Sequence, residues 1–147
     1  LLTWIILGYS RIILFLSSHV FGQKADEIVG IWWNAEKDGR VEVYKKGDKY
    51  FGKIEYIKEN KNADGTSPKK DRKNPNESLR SRVLIGTVIL TDLRWDGSEW
   101  DSGEIYDSKT GKTYSCYAQM QKDGTLYLKG YIGLAIVGRS TVWTRFK

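Results

Sequence analysis

In 147 residues the chain holds one cysteine (Cys116), one histidine (His19), one methionine and two prolines. A single cysteine excludes an internal disulfide, so the core must hold without a covalent staple. A domain of this length buries about two-thirds of its unfolded surface and can do so. Cys116 has no histidine nearby to lower its pKa, so it reads as a small buried apolar residue and not a nucleophile. His19 lies in the first 22 residues, which leaves no imidazole beyond them. That removes the commonest general base and metal ligand. There is no glycine-rich phosphate loop opening a helix and no serine in a strand-to-helix elbow. Helical periodicity is missing too: past residue 22 nothing longer than a turn reads as helix. The chemistry of metal, phosphate and covalent catalysis has little to stand on.

The first 22 residues differ from the rest. They are almost wholly apolar, carry Arg11 as their one charge, and end with small residues at Val20 and Gly22. This is the make-up of a secretory signal, with cleavage expected before Gln23. The rival reading is a membrane anchor, but Arg11 near its centre would cost about 2.5–3.5 kcal/mol to insert. The expectation is a leader over 1–22 and one domain over 23–147. The protein would be periplasmic or secreted, with no stable membrane span once the leader is removed.

What the remainder does contain is strands and turns. Runs rich in β-branched and aromatic residues cover Ile28–Asn34, Arg40–Tyr44, Tyr50–Ile57, Val83–Leu90, Trp100–Tyr106, Tyr114–Met120, Thr125–Ile132 and Thr141–Phe146. In the sixth, Tyr114, Cys116, Ala118 and Met120 fall on one face, with Ser115, Tyr117 and Gln119 opposite. Asp38-Gly39, Gly47-Asp48, Asp96-Gly97, Thr110-Gly111 and Asp123-Gly124 supply turn residues tolerant of positive φ. Eight strands on short links predict an all-β, antiparallel up-and-down meander, which removes its edges best by closing into a barrel. An open two-sheet sandwich is the alternative.

One connection breaks the rhythm. Lys58 to Arg82 is long and polar, holds both Pro68 and Pro75, and carries eight basic residues against four acidic ones. That accounts for most of the chain's net charge of +6. Long connections inside compact domains are functional or disordered. Within it, Asn74-Pro75 favours an extended or turn backbone, and Asp71 is placed to cap that turn or to pair with Arg80 or Arg82. Arg80 and Arg82, two apart on an extended segment, would share a face suited to a carboxylate or phosphate head group. Asp71, Asn74, Arg80 and Arg82 are therefore the candidate ligand-binding residues, with a salt-bridged loop anchor as the plainer reading. Asp92, Asp96, Glu99 and Asp101 could serve acid–base chemistry or hold Ca²⁺. A solvated turn accounts for them more simply.

A second constellation lies at the chain's two ends. Gly30-Ile31-Trp32 opens the first strand, and Trp143 and Arg145 close the last. Barrel closure would bring them together, with the guanidinium over the Trp32 face. This Gly-x-Trp with a C-terminal arginine resembles the lipocalin and fatty-acid-binding-protein pattern, and its expected role is structural. The wider set is more specific. Gly30-x-Trp32, Asp71-x-x-Asn74-Pro75, Gly86, Gly103-x-Ile105-Tyr106-Asp107, Gly111-Lys112-x-Tyr114, Leu128-x-Gly130-Tyr131 and Trp143-Thr144-Arg145 together resemble the exported bacterial domain-of-unknown-function family 2147 over about 28–147. The run Glu59–Ser67 departs from it as an enlarged loop. The resemblance implies export and a lipocalin-like barrel, and brings no catalytic residues or cofactor.

The function these residues favour is a non-enzymatic binding protein for a small apolar or amphipathic ligand, in the barrel or at its mouth. An eight-stranded barrel encloses just enough room for side chains or one small ligand. A basic surface binding an anionic envelope polymer or lipid head group is the alternative. Nucleic acid is not an expected partner, because the basic loop has no interleaved aromatics. A hydrolase using Asp71 or the Asp92–Asp101 acids is the weakest reading.

Overall fold

A computed structural model of the chain describes residues 24–132 and 137–147. The leader expected over 1–22 lies outside them. Eight antiparallel strands, each paired with its sequence neighbour, close into a barrel. They are β1 (Gly30–Trp33), β2 (Gly39–Lys46), β3 (Lys49–Ile57), β4 (Val88–Trp95), β5 (Trp100–Asp107), β6 (Lys112–Met120), β7 (Leu126–Ile132) and β8 (Val137–Arg145). The expected meander is present and the sandwich is not.

The alternation read from the sequence sets the inner and outer faces. In β6, Cys116 and Ala118 are fully buried while Ser115 and Gln119 face solvent. Their cross-strand partners Gly130 and Leu128 in β7 face inward with them. Trp32, Val43, Tyr50, Leu90, Leu93, Trp100, Leu126 and Leu128 are buried with them in one apolar cluster inside the barrel. Each such side chain contributes about 1.5–3 kcal/mol by leaving water.

The fourth strand corrects the expectation. It runs Val88–Trp95 and not Val83–Leu90. Val83 makes only an isolated bridge to Lys70, and Gly86, at φ +89°, turns the chain before the strand begins. The real strand was hidden because Thr91, Asp92 and Arg94 are polar and its period of two is interrupted. Asp92 sits at φ +60°, so Leu90 and Leu93, three apart, both point inward and are fully buried. The last strand likewise begins at Val137, four residues before the expected Thr141.

Closure is made where the two ends of the chain meet. Trp32 pairs directly with Arg145 across β1 and β8, and the guanidinium carbon lies 4.1 Å from the Trp32 ring centroid. Gly30, at φ +140°, is required by this approach, since a Cβ there would sit 2.7 Å from Arg145 Nη1. Trp143 packs into the core beside the seam. On the outer face, Arg40 is held among the rings of Trp33, Tyr56 and Phe146 and bonds Glu55 at 2.8 Å. That ties the first three strands to the C-terminus.

One barrel end is plugged by the turn that precedes β1, a short 3₁₀ helix over Asp26–Ile28. Its polar groups are met by barrel side chains. Trp32 Nε1 donates to the Ile28 carbonyl and Trp100 Nε1 to the Ala25 carbonyl, both at 2.9 Å. Tyr50 donates its hydroxyl to Asp26 at 2.5 Å, and Arg145 donates to the carbonyls of Glu27 and Val29. Ile28, fully buried, is the stopper itself.

Candidate functional site

The connection between β3 and β4, residues 58–87, is an ordered structure fastened at two centres. Asn62 closes the enlarged Glu59–Ser67 part: its Nδ2 donates to Thr66 and to the Pro68 carbonyl, and its Oδ1 accepts the Lys70 N–H. Asp64 accepts the hydroxyl of Thr66, pairs with Arg72 at 2.8 Å and accepts the Thr66 backbone N–H. These bonds hold the Asp64 carboxyl below the usual range.

The second centre is Asp71, whose side chain is completely buried. Arg82 donates Nε to its Oδ2 at 2.8 Å, and Nη2 forms an ion pair with the same oxygen at 2.8 Å. Asn74 Nδ2 donates to the same oxygen at 2.9 Å, and the Tyr106 hydroxyl donates to Oδ1 at 2.6 Å. The Asp71 N–H in turn donates to the Arg82 carbonyl at 3.0 Å. Burying a carboxylate is tolerable only when donors replace its water, and here three side chains do so. The Tyr106 hydroxyl, partly buried and donating to that carboxylate, is pushed up to about 12.

Three of the four expected residues thus converge: Asp71, Asn74 and Arg82. Arg80 does not join them. It stands in αR backbone at the C-terminal end of a 3₁₀ turn over Glu77–Leu79, and donates Nε to the Asn74 carbonyl at 2.8 Å. The extended segment that would have aligned Arg80 with Arg82 is absent, because Asn76 caps that turn through the Ser78 N–H. Arg80 braces the loop. Tyr106 is the partner that sequence reading missed; its place in the Gly103-x-Ile105-Tyr106-Asp107 motif was the available signal.

The fastened loop lies on the outer wall of the barrel, over β4 and β5. Val88 pairs with the outward Lys53, Thr91 with Glu104, and Tyr106 with Thr113, which puts their side chains outside. Between this wall and the loop is an open-sided cavity of about 220 Å³. Pro75 and Arg82 form one side; Val88, Thr91, Glu104 and Tyr106 form the other. Asn74 lies behind them, nearly buried. Arg82 Nη1 bonds no acceptor, and the exposed Glu104 carboxylate has neither a hydrogen bond nor an ion pair, among the described residues. The guanidinium carbon of Arg82 is 5.9 Å from the Tyr106 ring centroid. The groove therefore offers apolar surface, one aromatic ring, one oriented cation edge and one anion.

The acidic residues around the β4–β5 turn do not form the four-member group the sequence allowed. Asp92 lies apart and pairs with Lys49. Asp96, Glu99 and Asp101 gather at the tip, but Asp96 accepts the N–H groups of Ser98 and Glu99 and thereby builds the turn. Cys116 is fully buried, and burial foremost pushes its thiol up to about 12. That is the opposite of an activated nucleophile.

No curated protein matches the chain. Among solved structures it is similar to HP1028 of the human pathogen Helicobacter pylori, described as belonging to the lipocalin family. The TM-score is 0.69 at 28% identity, covering 82% of this chain and 83% of that one. The family model for DUF2147, an uncharacterized protein conserved in bacteria, matches residues 30–145, from the glycine beneath Arg145 to Arg145 itself. With that match spanning the whole barrel, the chain belongs to the DUF2147 family and has a lipocalin-like fold.

Proposed function

We propose that this is an exported, non-enzymatic binding protein that holds a small amphipathic ligand in the groove between the Asp71–Arg82 segment and the β4–β5 wall. The lipocalin-like fold suggests a ligand-binding role. The observation that carries the groove assignment is Arg82, fixed by a buried carboxylate yet left with one free edge in a cavity walled by Pro75, Val88 and Tyr106. Ligand sites join apolar walls to a few polar groups that are oriented in advance, and this groove has both. The barrel interior on the plugged side is occupied by tryptophan and leucine side chains, which favours the outer groove over the lumen.

Export rests on the composition of residues 1–22. N-terminal sequencing of the protein recovered from its native cell envelope should begin within a few residues of Gln23; an intact leader in the membrane fraction would refute cleavage. The groove is tested by Val88→Trp. Val88 is half-exposed on the outer face, so an indole there fills the cavity without entering the core. Binding of an uncharged fluorescent amphipathic probe should fall at least tenfold with the melting temperature unchanged. Undiminished binding by a folded variant would move the site elsewhere.

A further inference from the structure

The groove contains two charged groups of opposite sign, Glu104 without an ion pair and Arg82 with one edge free, and their surroundings constrain what it takes. Arg82 is already ion-paired: the buried Asp71 carboxylate accepts its Nε–H and lies 2.8 Å from Nη2. A simple fatty-acid carboxylate would have to share one guanidinium with Asp71 while facing the uncompensated Glu104. Like charges so placed disfavour one another. Glu104 has no hydrogen bond or ion pair among the described residues and lines the same cavity. It lies two residues before Tyr106 on the same strand face, roughly 7 Å along the strand. Arg82 stands by the Tyr106 ring. Arg82 and Glu104 thus line one cavity, with Pro75, Val88 and the Tyr106 ring as its apolar surface.

We infer that the groove takes a short apolar peptide with both termini free, its carboxylate on Arg82 Nη1 and its ammonium on Glu104. This rests on the groove being the ligand site, and deepens it by naming the ligand class. A zwitterion satisfies both groups at once and adds no net charge beside Asp71. Each terminus alone leaves one group unpaired or brings like charges together.

The test uses one scaffold in three forms: the dipeptide Ala-Phe, its N-acetyl derivative and its C-terminal amide, each titrated calorimetrically into the full domain. Ala-Phe should bind at least tenfold tighter than either blocked form. Glu104→Gln, on the exposed outer face, should bring Ala-Phe down to the level of the acetylated peptide and leave the acetylated peptide unchanged. Equal binding of all three forms, or indifference of Ala-Phe to Glu104→Gln, overturns the zwitterion. So does failure of all three while the uncharged amphipathic probe still binds and Val88→Trp still abolishes its binding; the groove then stands and only its ligand class is wrong. If the uncharged probe is also indifferent to Val88→Trp, the groove itself falls, and the inference with it.

Discussion

Trp32 shows how much one side chain can carry. Its ring is fully buried, its Nε1 holds the plug and its face receives Arg145. Trp32→Ala should cost about 3–5 kcal/mol, measured by urea unfolding. Arg145→Ala should cost less, about 0.5–1 kcal/mol for an exposed cation on a ring. The double variant should lose less than the sum, because both act on one contact; strictly additive losses would dissolve the contact. Tyr106 gives a pH signature. Its hydroxyl is raised from about 10 to about 12 by partial burial and by Asp71, so the folded state favours the neutral form. The resulting stability is whole below pH 10 and is lost as pH climbs through 12. Tyr106→Phe should be less stable than wild type at pH 7, and that gap should narrow between pH 10 and 12. Burial of Cys116 acts in the same direction from about pH 9, so the comparison must be between the two proteins at each pH.

At the scale of elements, the strands were legible where inside and outside alternate without interruption, as in β6. They were not legible where a positive-φ residue resets the phase. Asp92 in β4 is such a point, and the polar Thr91 and Arg94 around it removed the remaining signal. The plug went unread for another reason. Asp26-Glu27 looks like a polar tail, and only the indole N–H groups of Trp32 and Trp100 turn its carbonyls into a seal. The loop's Asp71–Arg82 pair was readable from spacing, but the third partner, Tyr106, is 35 residues away. Distance in sequence hid it. The loop also docks on the β5–β6 hairpin: Gly111, at φ +77°, lies directly against the Lys73 carbonyl, with no room for a Cβ. Gly111→Ala should therefore push the loop off the wall. Amide exchange of Asp71 and Asn74 should quicken while that of β7 stays as in wild type. Unchanged loop protection would mean that the hairpin is no support for the site.

Across the whole molecule, the two barrel ends are built differently. One is sealed by the Asp26–Ile28 turn with buried indole hydrogen bonds. The other carries exposed ion pairs between loop tips. Asp38 in the β1–β2 turn pairs with Lys109 in the β5–β6 turn at 3.1 Å. In an eight-stranded barrel those hairpins stand on opposite sides, so the pair reaches over the rim. Both side chains are largely in solvent, and such pairs are worth at most about 1 kcal/mol and weaken with salt. They can hold a rim in place but cannot hold it shut. This separates two modes of binding. A ligand entering the lumen must pass that rim, so Asp38→Asn with Lys109→Met, or high salt, should quicken its association. A ligand in the outer groove passes nothing. For the groove, the double variant should leave the association rate of a fluorescent amphipathic probe within twofold of wild type in stopped-flow mixing, while Val88→Trp removes the signal. A rate that rises severalfold when the rim pair is cut, with Val88→Trp silent, would place the ligand inside the barrel and reduce the Asp71 centre to loop scaffolding.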